Sequence, residues 1–174
     1  MIKIKAVFLD RDGVINDNKK YVNTPEDLII YDEAKKGMKL LYDAGYTLFI
    51  VTNQGGIELG HLTHEKLNRI HDRLIKELEP FCKITEILYC PDFNKESECR
   101  KPKPGMILEL AEKYGIDLRS SWMIGDMETD IEAGKSAGCK TAKIGVPSQN
   151  ADVNGKDLEE VALKILDKIN LQGI

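Results

Sequence analysis

The chain has 174 residues, 42% apolar and 31% charged, with 25 Lys and Arg against 29 Asp and Glu for a net charge of −4. This is one domain's worth of globular sequence, 1–174, and its acidic balance argues against a nucleic-acid partner gripped by a broad basic surface. No run of 18 apolar residues offers a membrane span and Ala6-Val7-Phe8-Leu9 is too short for a signal core, so the chain reads as a cytoplasmic monomer, with Cys82, Cys90, Cys99 and Cys139 as thiols or ligands rather than disulfides.

Residues 4–10 form an apolar run ending in Asp10, the pattern of a parallel strand buried on both faces. A loop rich in Asn, Lys and Asp follows, to about Tyr31. Residues 33–44 read as a helix with Ala34, Met38 and Leu41 on one face and Gly45 as its stop. Residues 47–51 are a second buried strand. Residues 63–79 are a longer helix, capped by Thr63, with Leu67, Ile70, Leu74 and Leu78 at three–four spacing. His71, within it, is expected on the exposed side. Residues 84–89 give a third strand, 90–104 a polar loop and 105–114 a helix closed by Gly115. Residues 122–124 are a fourth strand leading into Gly125-Asp126, 128–137 a helix, 141–144 a fifth strand and 157–169 the last helix. This alternation predicts an α/β fold, a doubly wound Rossmann-like parallel sheet in three αβα layers. Such sheets bind ligands at the carboxyl ends of their strands.

Those ends carry the chemistry. The first strand runs into Asp10-Arg11-Asp12-Gly13, the second into Thr52-Asn53-Gln54-Gly55, the loop after the third carries Arg100-Lys101, and the fourth ends at Asp126, one turn before Asp130. Singly, each is ordinary turn, cap or loop chemistry. Together at one sheet edge they suit phosphoryl transfer. Asp10 can attack phosphorus to form an aspartyl-phosphate. Asp12, two residues on, points to the same side if the strand stays extended, and can protonate the leaving oxygen, then deprotonate water. Carboxylates facing a phosphate dianion call for a hard cation such as Mg²⁺, with Asp126 as a further oxygen ligand. Thr52 and Lys101 can hold the transferred oxygens.

These motifs resemble those of the haloacid dehalogenase superfamily. Asp10-Arg11-Asp12-Gly13-Val14-Ile15-Asn16, the Tyr21-Val22 that follows, Thr52-Asn53-Gln54-Gly55-Gly56-Ile57 and Cys99-Arg100-Lys101-Pro102-Lys103-Pro104-Gly105-Met106 are similar to the D-glycero-D-manno-heptose 1,7-bisphosphate 7-phosphatases and the related histidinol-phosphate phosphatases. The similarity covers roughly residues 5–145. It implies a Mg²⁺-dependent phosphatase with Asp10 as nucleophile, Asp12 as proton donor, and magnesium on the Asp10 side chain, the Asp12 backbone carbonyl and Asp126. Asp130 would orient the metal's ligands. Thr52 and Lys101 would steady the phosphoryl group. Arg100, Arg11, Asn53, Gln54, Gly55 and the segment Asn18, Lys19, Lys20, Tyr21 would contact the substrate.

The sequence departs from this pattern in two places. The heptose enzymes typically carry a zinc loop before Arg-Lys-Pro. Here Cys90 and Cys99 match its outer cysteines, while Asp92 and Ser97 replace the histidine and the inner cysteine, a poor tetrahedral zinc site. Met127 follows Asp126 where those enzymes often have Lys. Asp12 and Thr52 are 40 positions apart and Thr52 and Lys101 are 49 apart, too few for a folded cap, so the pocket is expected to be open. His61 and His64 read as surface or cap residues, Cys139 and Trp122 as core, and Lys103 as a solvated neighbour of Lys101. Histidinol phosphate or another sugar phosphate is the alternative substrate. A phospho-accepting signalling domain is the alternative of another class, though it would not need Asp12.

Overall fold

The computed structural model describes residues 2–173. One parallel sheet is built from β1 (Ala6–Leu9), β2 (Thr47–Asn53), β3 (Ile84–Cys90), β4 (Trp122–Gly125), β5 (Lys140–Ile144) and β6 (Val153–Gly155), in the order β3-β2-β1-β4-β5-β6. The helices are α1 (Asp32–Asp43), α2 (His64–Leu78), α3 (Gly105–Tyr114), α4 (Glu128–Ala137) and α5 (Leu158–Gln172). The chain winds outward from β1 through β2 to β3, then returns across β1 to β4, so the direction of winding reverses between β1 and β4. At that point the connections leave opposite faces of the sheet and open a crevice at the strands' carboxyl ends.

The central strands are buried on both faces because helices cover both. Along β1, Val7 and Leu9 face one core with Met38, Leu41, Leu67, Leu74 and Val161, while Ala6 and Phe8 face the other with Met106, Leu110 and Ala133. The alternation follows from the two-residue period of a strand. It places α1, α2 and α5 on one face and α3 and α4 on the other. Thr63 caps α2 through its side chain, which accepts from the Lys66 amide, as its position before the apolar stripe predicts.

Three expectations change. The first strand is shorter than 4–10, since Ile4 makes only an isolated bridge to Ile116. A sixth strand, β6, lies at the edge beyond β5; Val153-Asn154-Gly155 has neither the length nor the apolar content to signal it. His71 is buried, 5% exposed, because it sits four residues after Leu67 and three before Leu74, on the helix face that packs on the sheet. Trp122 and Cys139 are core residues as expected. No helix among the described residues is long and apolar enough to cross a membrane.

Candidate active site

The reversal point gathers the carboxylates. The Asp10 amide donates to the Ile124 carbonyl at 3.0 Å, so β1 and β4 stay paired to the residue where the chain leaves the sheet. Gly13, at φ 80°, makes the turn that follows, and a Cβ there would strike the Asp126 carboxylate. Gly125 likewise leaves room for the Asp130 side chain. Asp130, in the first turn of α4, accepts from the Met127 amide and presents its other oxygen to Lys101. Lys101 Nζ donates to Asp10 Oδ1 at 3.0 Å, Asp130 Oδ1 at 2.6 Å and the Val51 carbonyl at 2.9 Å, filling all three of its donor positions.

Oxygens of Asp10, Asp126 and Asp130 lie within 4.8 Å of one another. One ammonium therefore faces three carboxylates. Burial pushes Asp10 up to about 8; Lys101 opposes the shift, and Asp130, Asp126 and Asp12 add to it. Burial and Asp130 also raise Asp126, and its Oδ1 is buried without a hydrogen-bond partner among the described residues. Unbalanced negative charge, hard oxygen donors and an orphaned carboxylate oxygen fit a divalent cation such as Mg²⁺.

Asp12 has a different environment. Its Oδ1 accepts from Arg11 Nε at 3.1 Å, Arg11 Nη2 at 2.8 Å and Asn16 Nδ2 at 3.0 Å, and its Oδ2 from Gln54 Nε2 at 3.0 Å. Burial raises its pKa, but the Arg11 charge and the hydrogen bonds from Asn16, Arg11 and Gln54 outweigh burial and hold it below the ordinary range. Gln54 Nε2 also reaches the buried Thr52 hydroxyl at 3.0 Å. Arg11 Nη1 stands 3.1 Å from His71 Nε2. Burial, with the Arg11 charge, drives His71 down to about 3, against a weaker upward pull from Asp12.

Asp12 also borders a cleft of about 690 Å³, whose walls include Asn18, Lys20, Tyr21, Leu59, Phe93 and Arg100. The far wall is the loop after β3. There the Glu58 carboxylate accepts from the Phe93 and Asn94 amides. Arg100 Nη1 donates to the Asp92 carbonyl at 3.0 Å, with its guanidinium 5.3 Å from the Phe93 ring centre. The expectation of free thiols holds for the buried Cys82 and Cys139 and fails for Cys90 and Cys99, which form a disulfide. The reason is position: Cys90 ends β3 and Cys99 closes the loop that leaves it, with Cα atoms 5.4 Å apart, a span a disulfide bridges. The ligand atoms of Cys90, Asp92 and Cys99 lie close together, but a disulfide sulfur is not a thiolate and makes a poor metal ligand.

Asp10, Asp12, Thr52, Lys101, Asp126 and Asp130 thus come together at one sheet edge. Arg11, Asn53 and Gln54 turn their side chains toward this machinery. The Asn53 amide pairs with the Lys101 backbone in both directions, at 3.0 and 3.2 Å, and Arg11 and Gln54 hold Asp12. Gly55 lies under Arg100, where a Cβ would crowd Nη1. Tyr21 is exposed on the cleft rim. The Lys19 side chain is 88% exposed and its nearest carboxylate is Asp17, at 4.0 Å. Sequence reasoning missed His71, whose signal was its helix spacing. It also missed Glu58, which no local pattern marks.

A family profile described as HAD-hydrolase-like matches residues 98–161. The chain is 38% identical over 164 residues to a D-glycero-alpha-D-manno-heptose-1,7-bisphosphate 7-phosphatase of Photorhabdus laumondii, with 87% of this chain and 90% of that protein covered. It is 40% identical over 137 residues to the protein of that name from Campylobacter jejuni, with 78% and 79% covered. Its structure is similar to the crystal structure of a D,D-heptose 1,7-bisphosphate phosphatase from B. bronchiseptica complexed with magnesium and phosphate, at a TM-score of 0.85 and 30% identity, with 95% and 99% of the two chains covered.

Proposed function

The chain belongs to the D-glycero-D-manno-heptose-1,7-bisphosphate 7-phosphatase family of haloacid dehalogenase-like phosphatases, and on that premise we propose that it removes the 7-phosphate of a heptose 1,7-bisphosphate through an aspartyl-phosphate on Asp10. The observation that carries this reading is the Lys101 ammonium shared between Asp10 and Asp130, beside the orphaned oxygen of Asp126.

The Asp10 and Asp126 side chains and the Asp12 carbonyl would hold Mg²⁺. Bound there, the ion supplies the positive charge that lets a phosphate dianion approach this acidic cluster. The chain's own residues do the rest. The Asp10 carboxylate attacks phosphorus as the ester bond to the sugar oxygen breaks. Its Arg11, Asn16 and Gln54 contacts keep Asp12 ionised in the free protein; a phosphate dianion arriving beside it favours the protonated form, so Asp12 takes up a proton from solvent with the substrate and gives it to that oxygen. It then takes a proton from water as the water oxygen bonds phosphorus and the Asp10–phosphorus bond breaks, releasing inorganic phosphate. The Thr52 hydroxyl holds a transferred oxygen, and Lys101, whose three donors are taken, contributes its positive charge beside the phosphoryl group. Arg100, across the cleft, takes the second phosphate; among the described residues only its Nη1 is engaged, so other N–H donors are open to a ligand. A phospho-accepting switch would have no use for the four-donor cradle around Asp12.

A turnover panel of sugar monophosphates, sugar bisphosphates, histidinol phosphate and nucleotides, with Mg²⁺ and with EDTA, tests the proposal. The highest kcat/KM is expected for the heptose bisphosphate, and loss of turnover in EDTA. Preference for histidinol phosphate or a nucleotide, or full activity in EDTA, would overturn it.

A further inference from the structure

His71 plays no part in the steps above, yet it is tied to them. It lies behind Arg11, which lines the cleft, buried on the inner face of α2. Its Nε2 lies 3.1 Å from Arg11 Nη1. A guanidinium can only donate, so Nε2 is the acceptor and the neutral ring carries its proton on Nδ1. Arg11 is itself 1% exposed. Its opposite edge, Nε and Nη2, meets Asp12 Oδ1, where Asn16 supplies a third donor. Among the described residues Oδ2 receives Gln54 alone. With three donors, Oδ1 has no room for a proton; Oδ2 has.

We propose that His71 is a positioning residue for Asp12: by accepting from Nη1 it fixes the rotation of the Arg11 guanidinium, which saturates Oδ1 and reserves Oδ2 for the proton exchanged with the substrate. This rests on the reading of Asp12 as acid and base. In the first half-reaction the Oδ2 proton passes to the sugar oxygen as its bond to phosphorus breaks. In the second, a water proton passes to Oδ2 as the water oxygen bonds phosphorus. Without an acceptor at His71 the guanidinium turns, and the Asp12 proton is no longer confined to the oxygen facing the leaving group.

The test compares kcat/KM, which covers the steps up to leaving-group departure, on two esters. D-glycero-D-manno-heptose 1,7-bisphosphate releases an alkoxide that needs a proton. p-Nitrophenyl phosphate releases a phenolate that does not. His71→Phe keeps the ring volume and removes the acceptor. It is expected to lose about 10- to 100-fold on the sugar ester and less than about threefold on the aryl ester, part of the gain that a placed acid provides. His71→Gln, whose amide oxygen can accept from Nη1, is expected to recover most of the loss. Equal losses on both esters, or no loss on either, would overturn the inference and leave His71 as packing. Asp12→Asn separates the two levels. If it shows the leaving-group pattern and His71→Phe does not, the His71 inference alone falls; if Asp12→Asn lacks the pattern, Asp12 is not the acid and both fall. Should His71→Phe fail to fold, Arg11→Lys, which keeps the charge but replaces the guanidinium's rigid fork with a single nitrogen, is measured on the same esters against the same outcomes.

Discussion

Burial acts on Asp10 and His71 in opposite directions, since each group resists the charged form: Asp10 is pushed up to about 8 and His71 down to about 3. For Asp10 the remedy is company, Lys101 and a cation. Asp10→Asn keeps the shape and removes the nucleophile, so turnover should fall by more than about 100-fold, over ~2.7 kcal/mol of transition-state stabilisation, while thermal unfolding shows a folded protein. Residual activity above about a hundredth of wild type would exclude Asp10 as nucleophile. For His71 the consequence is acid sensitivity. Its folded pKa lies below the unfolded value of 6.5, so between about 3 and 6.5 the unfolded chain binds more protons. The stability it contributes is complete above pH 6.5 and is lost as pH falls toward 3, with a slope of up to about 1.4 kcal/mol per pH unit. Urea midpoints at pH 7 and pH 4.5 should therefore fall further for wild type than for His71→Gln; parallel falls would contradict this. At this scale the sequence was most legible where strand-end position gathers the residues, as with Asp10, Asp12, Thr52, Lys101 and Asp126, which the structure brings to one sheet edge. It was less so where a role is a partnership across the chain. That Gln54 and Arg11 hold Asp12, or that Asn53 clamps Lys101, depends on contacts only the fold creates.

At the scale of elements, the loop after β3 walls one side of the cleft. The Cys90–Cys99 link ties its two ends together, Glu58 holds it at the Phe93 and Asn94 amides, and Arg100 stands at its exit. Arg100→Ala should mainly raise KM, and selectively for bisphosphates, as lost uniform binding does. A guanidinium gripping a distal phosphate supplies about 2–3 kcal/mol, or roughly 30- to 150-fold in kcat/KM. Kinetics on a bisphosphate and its matching monophosphate measure this, and an equal loss on both would remove the distal-phosphate role. With Cys90 and Cys99 joined, elemental analysis of purified protein should find well under one zinc per chain; one zinc per chain would mean that both sulfurs are thiolates completed by Asp92. The disulfide was hidden from the sequence because compartment and ligand spacing argue about thiols only on average, whereas the 5.4 Å approach of two Cα atoms is a property of the loop. β6 was hidden for another reason: a three-residue edge strand buries too little to leave a pattern.

Across the whole molecule, alternation of apolar runs with amphipathic helices was enough to place every site-bearing strand end on one edge, because parallel strands joined by helical crossovers all point the same way. The order β3-β2-β1-β4-β5-β6 was not readable, yet it explains why β1 and β4 supply the carboxylates: the winding reverses between them, and the crevice opens there. Among the described residues the connections β1–β2 and β3–β4 hold no cap-sized insertion over that crevice, as the spacing between motifs indicated. The proposed activity is regiospecific hydrolysis of a heptose bisphosphate by the Asp10 machinery. ³¹P NMR of the products formed from D-glycero-D-manno-heptose 1,7-bisphosphate and Mg²⁺ tests it most directly. One equivalent of inorganic phosphate should appear while the anomeric phosphorus resonance persists, and Asp10→Asn should leave both resonances of the substrate unchanged. Loss of the anomeric phosphate, or no phosphate release by the wild-type protein, would contradict it.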